Sequence, residues 1–369
     1  MDRVRQCHFG YFMQYGLRAR ERRPAGFEAP EIGTFLHYLL ENTAREVAGS
    51  GGWAAVKTPQ LHAMVRKYID LYIRDEIPGY EEKSARFRYL FGRLRTTAED
   101  IVDRMAEELA ESDFKPVAFE LGFGGRDGAL PAITIQEGDA TLSVSGKVDR
   151  VDGWLPDGKL YMRVVDYKTG RKSFDLSDVR YGLGIQMLLY LFTLEKEGQS
   201  CFGYPIVPAG VLYHPARDLI LKTERDISPE PLRKAMDREL RRDGMVLGDP
   251  EVLRAMEHSA LEAPCFLPIQ VSKDGGISGG VATAAQLGRL GQYVERLLHQ
   301  IAREVRDGNI DADPCCHNED DSFCKYCDWA DACHFQDGRD GDHLHYILPV
   351  KPEEFWRQVE EETERGGGQ

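Results

Sequence analysis

Apolar residues change period several times along the chain, and each change predicts a new layer of structure. From Glu31 onward Ile32, Phe35, Leu36, Leu39, Leu40 and Val47 recur at the spacing of a helix. Leu61, Met64, Val65, Tyr68, Tyr72 and Ile73 mark a second helix, and Phe87, Leu90, Phe91, Leu94, Ile101, Val102, Met105 and Leu109 a third and longer one. The run Gly49-Ser50-Gly51-Gly52 separates the first helix from the other two. The period then falls to two. Val117, Phe119 and Leu121 predict a strand around 114–123, and Leu142, Val144 and Val148 one around 140–151. Leu160, Met162 and Val164 predict a third strand, joined to the second by a hairpin turn through Pro156-Asp157-Gly158. Helical spacing returns over 178–198 with Leu183, Met187, Leu191 and Leu194, and a short apolar strand follows at 207–213. Residues 228–308 read as mostly helical, with an extended piece at 265–272 and a clear stripe in Leu287, Leu290, Tyr293, Val294, Leu297, Leu298 and Ile301. The order of elements is that of an α/β fold with a mixed sheet.

The third strand ends in chemistry. Its alternation places Leu160, Met162, Val164, Asp166 and Lys168 on one face, so an apolar stripe hands over to a carboxylate and an ammonium. Desolvating that pair costs free energy that another group must offset. Asp149, on the neighbouring strand of the hairpin, supplies a second carboxylate, and His37, one turn after Gly33, supplies a nitrogen. Such an oxygen-rich set suits a hard cation of the Mg or Mn kind. The ion would polarise a phosphate and acidify a water, while Lys168 positions that water or offsets charge developing on phosphate oxygens. The reaction is phosphodiester hydrolysis; a structural ion pair also fits the Asp-x-Lys triplet. Gln186 and Tyr190 lie one helical turn apart, behind this set.

Composition narrows the setting. With 369 residues, 42% of them hydrophobic, the chain can bury a sizeable core. It has no run of eighteen apolar residues and a polar, arginine-bearing N-terminal stretch, so a cytoplasmic protein without a membrane span is expected. There thiols stay reduced, and ligation is the role to test for the eight cysteines. Cys324-x2-Cys327-x5-Cys333 brings three thiolates to one centre, and a four-coordinate site needs one more ligand. Cys7 is the candidate, with Cys315, Cys316, His317 and His334 as neighbours in competition, and spacing alone does not separate zinc from an iron–sulfur cluster. Cys201 and Cys265 read as core. The net charge of −14 argues against a chain that coats nucleic acid, yet leaves room for a local basic channel. Arg18, Arg20, Arg22 and Arg23 form a basic end to the N-terminal arm that could guide a strand. Gly153-x4-Gly158-Lys159 mimics a phosphate-binding loop. Leu160 stands where Ser or Thr is needed and a strand follows, so no ATPase motor is read here.

Seven ordered motifs together resemble a known family. They are Cys7-His8-Phe9-Gly10-Tyr11-Phe12, Gly33-Thr34-Phe35-Leu36-His37, Gly146-Lys147-Val148-Asp149-Arg150-Val151-Asp152, Val165-Asp166-Tyr167-Lys168-Thr169-Gly170, Gln186-x3-Tyr190, Pro208-Ala209-Gly210-Val211-Leu212-Tyr213 and the cysteine triplet. The sequence resembles, from Cys7 to about Phe335, the nuclease part of the AddB subunits of bacterial helicase-nucleases, a RecB-like branch of the PD-(D/E)XK superfamily. The resemblance implies a PD-(D/E)XK core, a mixed sheet flanked by helices, with helical insertions and an iron–sulfur staple joining N- and C-terminal segments. It makes His37, Asp149, Asp166 and the Tyr167 backbone carbonyl ligands of Mg or Mn, and Lys168 the catalytic lysine. Gln186 and Tyr190 become the pair that supports the site and contacts substrate. Cys7, Cys324, Cys327 and Cys333 become ligands of a 4Fe-4S cluster, with zinc the less favoured occupant. Glu120 is a weaker match, and Asp152 points away from Asp149 on its strand and is not read as a ligand.

The implied division is an N-terminal arm at 1–30, a nuclease core at 31–214 with an insertion near 50–112, a mainly helical insertion at 215–310, a cysteine-rich segment at 311–335 and a tail at 336–369. The function implied is metal-dependent DNA hydrolysis, as an exonuclease on single-stranded ends in break repair and recombination. A helicase subunit on another chain would then be a partner. Two rival readings are a cluster-stapled module that binds DNA ends or a helicase, and a CRISPR-associated nuclease of the same type.

Overall fold

The three apolar stripes of the first hundred residues fold as helices packed on one another. In the computed structural model, which describes every residue except 21–28, 126–127, 218, 220, 222–227, 319, 340 and 367–369, the chain opens with Asp2–Gln6 (α1) and His8–Tyr11 (α2). Ala29–Gly49 (α3), Thr58–Glu76 (α4) and Ala85–Ala110 (α5) then bury Phe35, Leu39, Val65, Ile69, Phe91, Val102 and Met105 against each other. Ser84 caps α5, its hydroxyl accepting from the Phe87 amide at 3.2 Å. This layer also covers Tyr167, which belongs to a strand of the sheet, and Ala216, which directly follows one.

Lys115–Phe123 (β1) follows where the period falls to two. The stretch expected as one strand over 140–151 is two. Ala140–Val144 (β3) pairs with Ile133–Glu137 (β2) in a separate hairpin turned at Gly138, and Gly146–Trp154 (β4) pairs with β1. Gly146 marks the change. A Cβ there would collide with the Tyr190 hydroxyl, so only glycine lets this ring reach the strand. Leu160–Lys168 (β5) closes the expected hairpin with β4 through Gly158 at φ 74°. The helix expected over 178–198 is interrupted. Leu176–Arg180 (α6) stops, Gly182 and Gly184 take φ of 80° and 64°, and Gln186–Glu197 (α7) starts anew.

Gln199–Phe202 (α8) leads to Ile206–Pro215 (β6), parallel to β5. The stretch read as mostly helical does hold Pro229–Glu239 (α9), Pro250–Met256 (α10) and Ala284–Arg306 (α11). It also gives the sheet two strands that the sequence reading missed, Asp243–Leu247 (β7) and Val281–Ala282 (β10), beside a small hairpin of Ile269–Val271 (β8) and Ile277–Gly279 (β9). The 215–310 segment is therefore not only a helical insertion. Central order is β1-β4-β5-β6-β7-β10, with β5/β6 and β7/β10 parallel and the other pairs antiparallel.

The stripe on α11 is buried throughout, from Leu287 to Ile301, and packs with α7 on the side of the sheet away from α3–α5. A capping box starts it: the Gln286 amide donates to the Thr283 hydroxyl at 3.2 Å and the Thr283 amide to the Gln286 side chain at 2.8 Å. Cys315–Cys316 (β11) pairs with His345–Tyr346 (β12), and Ala330–Cys333 (α12) lies between them. The last helix, Pro352–Gly366 (α13), buries Phe355 and Val359 in the main core, while the glycine-rich tail beyond it lies outside the described residues. No helix among the described residues is long and apolar enough to cross a membrane.

Candidate active site and cysteine centre

Strand register brings the two acids together. Arg150 lies opposite Val165, so one step along the antiparallel pair sets Asp149 beside Asp166. The Tyr167 amide donates to Asp149 Oδ2 at 2.8 Å, which fixes that carboxylate across the hairpin. On the same strand the Lys168 ammonium lies 2.6 Å from Asp166 Oδ2 and over the Tyr213 ring at 5.7 Å. Burial pushes the Asp166 carboxyl up, Asp149 pushes it the same way, and Lys168 opposes both.

α3 delivers His37 to this end of the hairpin. Its Nδ1 is 3.2 Å from Asp149 and 3.8 Å from Glu120, and its ring meets the Tyr167 ring edge-on at 5.9 Å. Burial alone would lower the His37 pKa, but the Asp149 and Glu120 carboxylates outweigh it and push it up to about 10. The two carboxylates therefore favour the protonated imidazole. Ligand atoms of His37, Glu120 and Asp149 lie within 4.8 Å of one another, the tightest such set among the described residues. Glu120, the weak match in sequence, thus stands as close to the site as the strong ones. Its backbone is at φ 49°, in the left-handed region inside a strand, and its other oxygen is 3.1 Å from Lys147.

Gln186 and Tyr190 support this centre from α7. The Gln186 amide donates to the Tyr190 hydroxyl at 2.8 Å, the Tyr190 ring stacks on Phe123 at 5.0 Å, and its hydroxyl abuts Gly146 at the start of the strand that carries Asp149. Tyr190 is buried, whereas Gln186 is exposed. Asp152 does point the other way. It lies in a buried ionic group beneath the hairpin, accepting from Arg150 at 3.0 Å and Arg163 at 2.9 Å. Glu108 of α5 completes that group, accepting from Arg163 at 3.2 Å and from Arg242 at 3.0 Å, and Arg150 also donates to the Tyr167 hydroxyl at 3.2 Å. The sequence reading missed this group. A signal existed: Glu108 falls three residues after Met105, inside the apolar stripe of its helix.

The second centre gathers from residues far apart in sequence. Cys7, Cys324, Cys327 and Cys333 line one cavity of about 150 Å³ with Phe9, Pro314, Phe323 and Phe335. Of the competing ligands only His334 reaches it. Cys315 is buried with Leu183 and Ile347, and His317 pairs with Asp178 at 2.8 Å. Protein contacts alone already hold Cys7 there. The His8 amide and ring bond Asp313 at 2.9 and 2.7 Å, the ring also faces Glu304 at 3.4 Å, and Arg5 pairs with Glu304 at 3.0 Å. Cys201 departs from expectation. It is exposed, not core, because the short helix α8 leaves its outer side uncovered, and Cys265 is half-buried. Of the basic arm, Arg20 is exposed, while Arg22 and Arg23 lie outside the described residues.

Residues 1–334 match the PD-(D/E)XK nuclease superfamily. The chain is 32% identical over 368 residues to the B-type subunit of the ATP-dependent helicase/deoxyribonuclease of Acetivibrio thermocellus, and 31% identical over 369 residues to that of Clostridium botulinum strain Okra. Against its counterpart in Thermoanaerobacter sp. strain X514 it is 30% identical over 374 residues. These matches take in 99–100% of this chain and 32% of each relative, so the chain spans about a third of the length of the curated relatives it matches.

Proposed function

The chain belongs to the PD-(D/E)XK nuclease superfamily, and from that premise we propose that it is a divalent-metal-dependent DNA nuclease, an exonuclease acting on single-stranded ends in break repair. The observation that carries this reading is the convergence of His37, Glu120 and Asp149 within 4.8 Å beside the Asp166–Lys168 pair. Asp149, Asp166, His37 and the Tyr167 carbonyl would hold Mg or Mn, with Glu120 a further oxygen donor. A bound ion supplies Lewis-acid polarisation of the phosphate and a water of lowered pKa. The remaining work falls to side chains. His37 must give up its proton to act as a ligand, which makes ion binding weaken as pH falls. Lys168 turns its ammonium towards the phosphate oxygens, where charge grows during cleavage. Gln186 is positioned to touch the strand, and Tyr190 keeps β4, and with it Asp149, in place.

The names of the relatives, each one part of a helicase/deoxyribonuclease, support DNA as substrate and a helicase chain as partner. Incubated with end-labelled single-stranded DNA and Mg or Mn, the protein should degrade the strand and stop on addition of EDTA. Folded protein that leaves the strand intact under both ions would overturn the reading.

The cysteine cavity fits a 4Fe-4S cluster. Cys7, Cys324, Cys327 and Cys333 would supply the four thiolates, since all four line one cavity. A cavity of about 150 Å³ with thiols at its rim better suits a cluster than a single ion. Its role is structural, tying Cys7 to the segment that holds Cys324, Cys327 and Cys333. Anaerobically purified protein should be brown and Cys327→Ala colourless and less stable; colourless wild type that contains zinc would sink the iron assignment.

A further inference from the structure

A second pocket adjoins the carboxylate site and has the opposite charge. It measures about 300 Å³ and begins at Lys168, runs under the loop Gly170, Arg171, Lys172 and Ser173, and ends against Arg217, Arg238 and Arg241. Six cationic side chains line it against the carboxylates of Glu239 and Asp243. In a chain of net charge −14 that is a marked local reversal, and a concave, low-dielectric wall concentrates its field.

Those charges are poorly neutralised from within. Glu239 is shared between Arg171, largely in solvent, and the more buried Arg217, each 3.7 Å away, so one carboxylate serves two guanidinium groups at long range. Among the described residues no carboxylate lies within ion-pair distance of Lys172 or Arg238. Arg241 is fixed by neutral groups. Its guanidinium donates to the carbonyls of Pro264 at 2.7 Å and Ile269 at 3.4 Å, and its buried Nε has no partner. A guanidinium held rigid by carbonyls keeps its full charge for an outside anion.

The geometry points to this pocket as a subsite for the backbone phosphates that flank the scissile one on the substrate strand. The assignment rests on the nuclease reading above and extends it. Lys168 is common to both sites, so a strand with one phosphate at Asp149 and Asp166 continues directly over Arg171, Lys172 and Arg238. The lining offers cations and one buried tyrosine, and no exposed aromatic platform for bases. The subsite therefore grips phosphates without regard to sequence, setting the register of the strand.

The test compares wild type with the double variant Lys172→Glu/Arg238→Glu. A control pair, Lys234→Glu/Arg357→Glu, makes the same charge change on exposed residues outside the pocket. Binding of labelled oligodeoxythymidine is followed by anisotropy in EDTA across a salt series, so it does not depend on cleavage. The pocket variant should bind at least about tenfold more weakly at low salt, with a salt slope shallower by about 1.4, as expected for two lost phosphate contacts. In Mg or Mn its loss should fall mainly in KM. Binding equal to the control pair, or a loss confined to kcat, overturns the subsite. Wild type that binds but does not cut, with binding lost in the variant, overturns the nuclease reading and leaves the subsite standing.

Discussion

Asp166→Ala should leave a folded protein that cuts DNA at least about 10³-fold more slowly, because removing an ion's carboxylate forfeits several kcal/mol of charge stabilisation. The same variant separates a functional carboxylate from a structural one. Burial and the neighbouring Asp149 hold the Asp166 carboxyl above its ordinary range, with Lys168 and, more weakly, His37 opposing. An acid whose folded pKa exceeds its unfolded value destabilises the fold at every pH above the folded value, and the penalty fades as pH falls into the carboxylate range. Alanine removes it. In EDTA at neutral pH, Asp166→Ala should therefore melt no lower than wild type. A clear drop in melting temperature with cleavage retained would identify the Asp166–Lys168 pair as a structural ion pair.

Glu108→Ala should act on stability instead, costing about 3–5 kcal/mol, the usual penalty for stranding a buried charge. Glu108 is buried, and its carboxylate neutralises Arg242 and Arg163 directly, with Arg150 3.8 Å away. Without it Asp152 alone faces three buried arginines. His214 offers no relief: burial and Arg242 push its pKa well down, and an imidazole supplies no negative charge in either state. Desolvation disfavours the Glu108 anion, but Arg242, Arg163 and Arg150 outweigh it and hold the carboxyl far below its usual range. A depressed acid stabilises the fold above its unfolded pKa and loses that contribution as pH drops through the range below it. Wild type should therefore weaken steeply in acid, and Glu108→Ala should flatten that dependence. The urea midpoint at neutral and acid pH measures both, and a shift worth under about 1 kcal/mol at neutral pH would refute the assignment.

Much of this site could be read before folding because its parts obey simple periods. His37, Asp149, Asp166, Lys168 and the Gln186/Tyr190 pair sit on strong stripes, and strand alternation alone turns Asp149 and Asp152 apart. What stayed hidden did so for local reasons. Glu120 reaches His37 from a strand position with φ 49°, which no alternation rule anticipates. The short strands β7 and β10 lie at the covered end of the sheet and carry too few residues to show a period. Gly182 and Gly184 cut a helix whose apolar spacing runs on through the break. Nothing in their own strands places Arg150 and Arg163 inside; Glu108, contributed by an earlier helix, does.

The bond between His8 and Asp313 spans 305 residues, and this has a consequence for how the protein is made. A ribosome adding about 5–20 residues per second needs roughly 15–60 s to travel that distance. Throughout that interval the Cys7 thiol has neither His8's latch nor its three distant companions. The burial that raises its pKa to about 11 and protects it in the finished molecule is likewise absent. Each nascent chain thus passes through a period in which Cys7 is open to oxidants, well before Cys324, Cys327 and Cys333 emerge.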